Sequence, residues 1–338
     1  MSIKHYQPQA TAIKGNLAAT VLTEVRREFG AEVPPFTLHL PVPELLAGAW
    51  MASRETLLAG EGRRDAKEAV AATVSAINRC PYCVDAHSIM LLEASGSDYS
   101  KALSEGKPEL IEDPYLRAVS RWAAATRSPG SPLIADPPFT AEEAPAFIGT
   151  AVFFHYINRM VTILLGNSPL PFTEGFPRTV ALRMAAWFFG GAIRLKKKPG
   201  ASLKLLPEAP LTDDLAWAEP SPHVAGAFAA FAREIEKAGE TALPKSARSA
   251  VKIALADWNG SDPGTGTAWI EKALASLNEA DIPAGKLALL AALAPYRVKT
   301  ELVSLASPYA DRFPGDDKLL SALAWGSFTA ARKIGTWL

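Results

Sequence analysis

Apolar residues recur at intervals of three and four along most of this chain, a period that belongs to amphipathic helices rather than strands. Segments 44–60, 64–78, 81–96, 113–127, 141–166 and 177–195 are rich in Ala and Leu and carry it; in 64–78, Val70, Val74 and Ile77 fall on one stripe. The pattern resumes at 223–239, 244–258, 265–280, 283–295, 297–312 and 315–337. Strand signals are few. Phe36-Thr37-Leu38-His39-Leu40 alternates, but prolines on both sides predict an extended arm rather than a sheet strand. The expected class is all-α.

Three proline-rich stretches, 128–138, 168–177 and 196–222, punctuate the helices. The last opens with Lys196-Lys197-Lys198-Pro199-Gly200 and ends in Glu219-Pro220-Ser221-Pro222, where proline bars helix propagation, so it is the expected linker. At 338 residues the chain is about twice a common domain. Setting 67–87 over 248–268 aligns Ala69 with Ala250, Val70 with Val251 and Asn78 with Asn259, each time a helix, a turn and a second helix. We therefore expect an arm over 1–43, a helical domain over 44–195, the linker over 196–222 and a second copy over 223–338. In that copy Ser249, Ser261, Gly264 and Ala268 stand where the first half has Glu68, Cys80, Cys83 and His87, so the chemistry belongs to the first half.

Hydrophobic residues are 49% and charged residues 21% of the chain, enough apolar material to bury a core without disulfides. Lys plus Arg and Asp plus Glu are both 35, and that balance argues against a nucleic-acid binder or an anionic-membrane binder. No apolar run reaches the roughly 18 residues of a membrane span. The stretch MSIKHYQPQATAIKG lacks the apolar core of a secretory signal. A cytoplasmic location is expected.

Both cysteines lie in Cys80-Pro81-Tyr82-Cys83, with His87 four residues on. Proline at 81 disfavours the helical conformation for Cys80 and suits the first turn of a new helix. Cys83 then sits where free N–H groups and the helix dipole favour a thiolate, so its pKa is expected to fall. Cys83 and His87 are spaced for one helix face, and an imidazole there can take the thiol proton. Cys80 is near enough to attack a sulfenic acid on Cys83. In a straight helix Glu68 would be about 18 Å from Cys80. If the break at 78–81 makes a helical hairpin, Glu68 returns alongside His87 and can orient and polarise its imidazole.

These residues resemble a known signature. Glu68, eleven residues, Cys80, two residues, Cys83, three residues and His87 reproduce the E-x11-C-x2-C-x3-H pattern of the AhpD-like alkyl hydroperoxidases, in the carboxymuconolactone decarboxylase superfamily. NRCPYCVDAH is similar to that motif, and FFHYINRM at 153–160 is similar to the family's following helix. The match spans about 55–166, and the second half looks like the degenerate partner domain of two-domain members. The resemblance implies an AhpD-like helical bundle, duplicated in one chain, and a thiol peroxidase without a cofactor. It implies Cys83 as the peroxidatic cysteine, Cys80 as the resolving one and Glu68 with His87 as a proton relay. It further implies a small hydroperoxide substrate, a dithiol reductant such as a lipoylated or thioredoxin-like protein, and a homodimer. One difference bears on the relay: the family's peroxidases place a histidine between the cysteines, where this chain has Tyr82. The superfamily's decarboxylases use no cysteine pair, so its name is not an activity here.

Other readings of the same residues stand beside this one. The cysteines could be small buried hydrophobes, or with His87 and Glu68 a zinc site, although no second paired element completes one. A non-enzymatic scaffold or redox sensor is a further alternative. Glu68 could pair with Arg64 one turn back, on a helix surface. Tyr82, His155 and Asn158 are candidate substrate-pocket residues; His155 and Asn158 also suit hydrogen bonding in an apolar core. Arg332 answers to Arg159 in the second half. His5, His39 and His223 have no assigned partner. The glycine-rich run 259–266 has no preceding strand and no following Lys-Ser/Thr, so it is a loop rather than a phosphate cradle.

Overall fold

A computed structural model describes residues 3–6, 16–166, 197–300, 303 and 316–338. Its helices are α1 Asn16–Phe29, α2 Pro34–Thr37, α3 Pro43–Ser53, α4 Arg64–Ile77, α5 Pro81–Ser95, α6 Ser100–Ser104 and α7 Pro114–Ala125. They continue with α8 Pro132–Ala135, α9 Ala144–Leu164, α10 Pro222–Ala242, α11 Lys245–Ala256, α12 Ala268–Leu274, α13 Ile282–Leu293 and α14 Asp316–Gly335. No strand occurs among the described residues, and the fold is all-α. The expected helix over 177–195, the proline-rich stretch 168–177 and most of 297–312 lie outside them.

Proline opens most of these helices. It stands in the first turn of α2, α3, α5, α7, α8, α9, α10 and α13, where its missing N–H would have no helical partner and its fixed φ suits the helix. The same rule corrects the expectation for 36–40. Pro34 and Pro35 start the short helix α2 instead of flanking an extended arm, and 38–41 form turns. His39, fully buried, there accepts from the Tyr156 hydroxyl at 2.7 Å and ties this segment to α9.

α4 is the central helix of the first half. Its small residues, Ala66, Ala69, Ala71 and Ala72, are fully buried and let α5, α7 and α9 approach on different sides. The second half joins the first without a gap in the core: α10 packs on α3, and α14 packs on α9, α10 and α13. Gly326 marks a close backbone crossing, since a methyl there would overlap the Ala288 carbonyl of α13. Gly326→Ala should cost about 1–3 kcal/mol, read as a lower midpoint in thermal or urea unfolding.

α9 corrects another expectation. It is 21 residues long and apolar enough by composition to cross a bilayer, but 94% of its most apolar window is buried inside the protein. It is the core helix that both halves share.

A buried polar clasp joins α1, the turn after α3 and the 198–202 segment. Residues Arg54–Leu58 form a π-helical turn in which Arg54 and Glu55 are buried. Arg54 donates to Glu28 at 2.9 Å, to Glu55 at 2.7 Å and to the Lys198 carbonyl at 3.1 Å. Glu55 also accepts from the Gly200 amide at 2.7 Å, the Ser202 hydroxyl at 2.6 Å and His223 Nδ1 at 3.0 Å. His223, without an assigned partner in the sequence, thus ties the start of α10 to the first half.

Candidate active site

The turn between α4 and α5 is a helix C-cap closed without glycine. Arg79 takes the left-handed conformation at φ 54°, its amide donating to the Ala76 carbonyl at 3.0 Å while the Cys80 amide reaches Ser75 O at 2.9 Å. These paired bonds end α4 and reverse the chain. Cys80 then caps α5 in a non-helical conformation, with Pro81 in the first turn behind it.

The reversal brings the four motif residues together in two contacts. Cys80 Sγ donates to Cys83 Sγ at 3.0 Å, and both are free, buried thiols. His87 Nδ1 lies 2.7 Å from Glu68 Oε2. Glu68 is wholly buried, and its other oxygen accepts from Arg64 Nε and Nη2 at 2.8 and 2.6 Å. Glu68 thus pairs with Arg64 and also meets His87, but it does so buried, not on a helix surface. Burial pushes its carboxyl up, but the charges of Arg64 and His87 outweigh this and hold it below the ordinary carboxylate value. Facing a carboxylate that can only accept, His87 Nδ1 is the donor of this hydrogen bond, and Nε2 is turned away from Glu68.

Cys83 departs from the expected lowered pKa. Burial, and then the neighbouring Cys80 thiol, push it well above the ordinary thiol value, while a hydrogen bond from Asn158 works the other way. The helix N-terminus does not outweigh the loss of water around the thiol of a residue only 3% exposed. A Cys83 thiolate at neutral pH therefore needs a base.

Cys83 and His87 open onto a cavity of about 280 Å³. Tyr82 lines it beside them, and burial keeps the Tyr82 hydroxyl protonated. Phe153, Phe154 and Ile157 of α9 form one wall, with the His87 and Phe154 rings edge to face at 4.5 Å. Phe29 and 31–36 form the opposite wall, and Ser53 and Leu57 line it beside the π-turn. Cys80 is not among the lining residues, so of the two sulfurs Cys83 faces the cavity. The segment from α1 to α2 and the π-turn are the parts of the site that sequence reasoning missed; aromatic residues flanking Pro34-Pro35 were the available signal.

Of the other pocket candidates, Asn158 and His155 lie behind the sulfurs rather than in the cavity. Asn158 donates to Ser75 Oγ and accepts from Asn78 Nδ2, each at 3.0 Å. His155 is fully buried; its Nδ1 accepts from Asn78 at 3.0 Å and its Nε2–H donates to Thr126 Oγ1 at 2.9 Å, because that hydroxyl donates onward to the Ala123 carbonyl. Burial, then the charges of Arg159 and Arg127, hold its pKa well down, so it is a neutral member of this network. Among the described residues no three His, Cys, Asp or Glu side chains converge as a metal site requires.

The family model described as the carboxymuconolactone decarboxylase family matches residues 44–98, which hold α3, α4 and α5 and hence all four motif residues. A Mycobacterium tuberculosis (strain ATCC 25618 / H37Rv) protein named alkyl hydroperoxide reductase Rv2159c is 40% identical to this chain, the match covering 99% of the chain and 95% of that relative. With the hairpin, the buried carboxylate–imidazole pair and the adjoining thiols in place, the chain belongs to the carboxymuconolactone decarboxylase family, in its AhpD-like group.

Proposed function

We propose that this protein is an AhpD-like alkyl hydroperoxide reductase that works through Cys83 and Cys80. The observation that carries the reading is the shared cavity: Cys83 and His87 face it together while Glu68 holds the far nitrogen of His87 at 2.7 Å. In the first step His87 Nε2 accepts the Cys83 proton, directly or through the bound hydroperoxide or a water molecule. The thiolate attacks the terminal peroxide oxygen, the O–O bond breaks, and His87 returns the proton to the departing alkoxide. The products are a Cys83 sulfenic acid and an alcohol. Cys80 Sγ, 3.0 Å away, then attacks that sulfur and expels water, leaving a Cys80–Cys83 disulfide. A dithiol protein, lipoylated or thioredoxin-like, returns two electrons and two protons by thiol exchange.

The cavity walls suit an organic hydroperoxide. Burying an alkyl or aryl group against Phe153, Phe154 and Leu57 gains binding that hydrogen peroxide cannot, so kcat/KM for cumene hydroperoxide should exceed that for hydrogen peroxide by about 10- to 100-fold. The halves are read as two copies, with α3 facing α10 and α9 facing α14 as related helices do about a two-fold axis. In this reading the second copy has become a structural partner, the work is done in the reducing cytoplasm, and the chain forms a homodimer.

The deciding experiment is peroxide consumption with a dithiol donor, together with dimedone labelling of Cys80→Ser. The variant should stop turning over yet accumulate a labelled Cys83 sulfenic acid. No label at Cys83 after peroxide treatment would remove it from the role of nucleophile.

A further inference from the structure

A second cavity lies behind the redox pair, at the seam between the two halves, and its lining is cationic. It measures about 30 Å³, and Asn78, Arg79, Arg127, Asn158, Arg159 and Asp262 contribute to its walls. Three guanidinium groups face one carboxylate, and that carboxylate is already engaged: Asp262 accepts from Arg127 at 2.8 Å and lies 3.7 Å from Arg79.

Arg159 is left without a counter-ion. It is 4% exposed, and it donates to the carbonyls of His155 and Ala292, the latter at 2.8 Å. Among the described residues no carboxylate stands within ion-pair distance of it: Asp262, across the cavity, favours its charge only from farther off, and the Trp258 ring lies 6.0 Å away. Arg332 on α14 shows the ordinary arrangement by contrast: two bonds to Asp214 at 2.6 and 2.7 Å and one to Glu236 at 3.2 Å. A buried cation with carbonyl partners alone is costly, and burial with the charge of Arg127 lowers the Arg159 pKa to about 9. Arg79 reaches the rim of the same cavity from the α4 C-cap, its side chain largely exposed.

We propose that this cavity binds one small monovalent inorganic anion of the halide class, chloride in size, with Arg159 as its main counter-charge and Arg127 and Arg79 at its mouth. The volume exceeds the roughly 10–15 Å³ that a single water-sized occupant requires, but it is too small for a nucleotide or a carboxylic acid of any length. The site is separate from the peroxide cavity, with Asn158 between the two.

Thermal unfolding of the full chain in sodium chloride against sodium gluconate, at constant ionic strength, tests the proposal. Chloride should raise Tm by about 2–4 °C and saturate, while the bulky gluconate should not. Arg159→Gln should abolish the chloride effect; should that variant fail to fold, Arg127→Gln should move saturation to at least about fivefold higher chloride. Crystals grown in sodium bromide should show an anomalous peak among Arg79, Arg127 and Arg159. Equal Tm rises in the two salts, or bromide crystals with no peak in this cavity, would overturn it.

Discussion

Cys83→Ser should lower hydroperoxide turnover by about 10³-fold or more, with little change in unfolding midpoint. Serine fits the space, but its hydroxyl stays protonated at neutral pH, and oxygen is a poor nucleophile toward peroxide. The magnitude follows from the position of this sulfur. Cys83 alone of the pair faces the cavity, and its burial makes the thiolate scarce until a base removes the proton. His87→Ala removes that base while leaving the sulfur, so its loss should be smaller, about 10²-fold, and should shrink as pH rises. A coupled peroxidase assay across pH separates the two variants. Wild-type turnover in Cys83→Ser would return the cysteines to being two small buried side chains; a pH-independent loss in His87→Ala would make the imidazole a packing residue.

The second large effect is expected far from the sulfurs, at the clasp. Glu55→Gln should destabilise the protein by about 3–5 kcal/mol at neutral pH, because it leaves Arg54 and His223 facing a neutral group in a buried site. Burial raises the Glu55 carboxyl, yet hydrogen bonds from His223, Ser202 and Gly200 and the charge of Arg54 bring it from 4.5 down to about 2. A carboxyl whose folded pKa is depressed adds stability that is complete above the unfolded value. That stability is lost as pH falls from about 4.5 through about 2, and here it amounts to about 3 kcal/mol. Urea unfolding of both proteins at neutral pH and near pH 3 measures it. The gap between wild type and Glu55→Gln should narrow at the lower pH; a gap that does not change would show that the carboxylate charge is not what holds the 198–202 segment.

Much of the site could be read from residue order because its parts are close in the chain. Pro81 dictates where α5 begins, the Cys83–His87 spacing puts both on one face, and the break at 78–80 folds Glu68 back to His87. Each is a local rule of backbone sterics. The same rules misled at 36–40, where alternation and flanking prolines suggested an extended arm but Pro34 and Pro35 open a helical turn. They also misled on Cys83, since a helix N-terminus is a local feature whereas burial is not.

Most helix positions, the α4–α5 reversal and the meeting of Glu68 with His87 thus followed from local chain chemistry, whose range is a few residues. Tertiary packing alone decided the rest: the cavity walls from 29–36 and α9, the raised Cys83 thiol, the Glu55–His223 clasp 168 positions apart, and the lone charge of Arg159. Those features depend on how much water each group loses and which distant partner replaces it. Solvent exclusion is a property of the assembled core, and no stretch of sequence carries it alone.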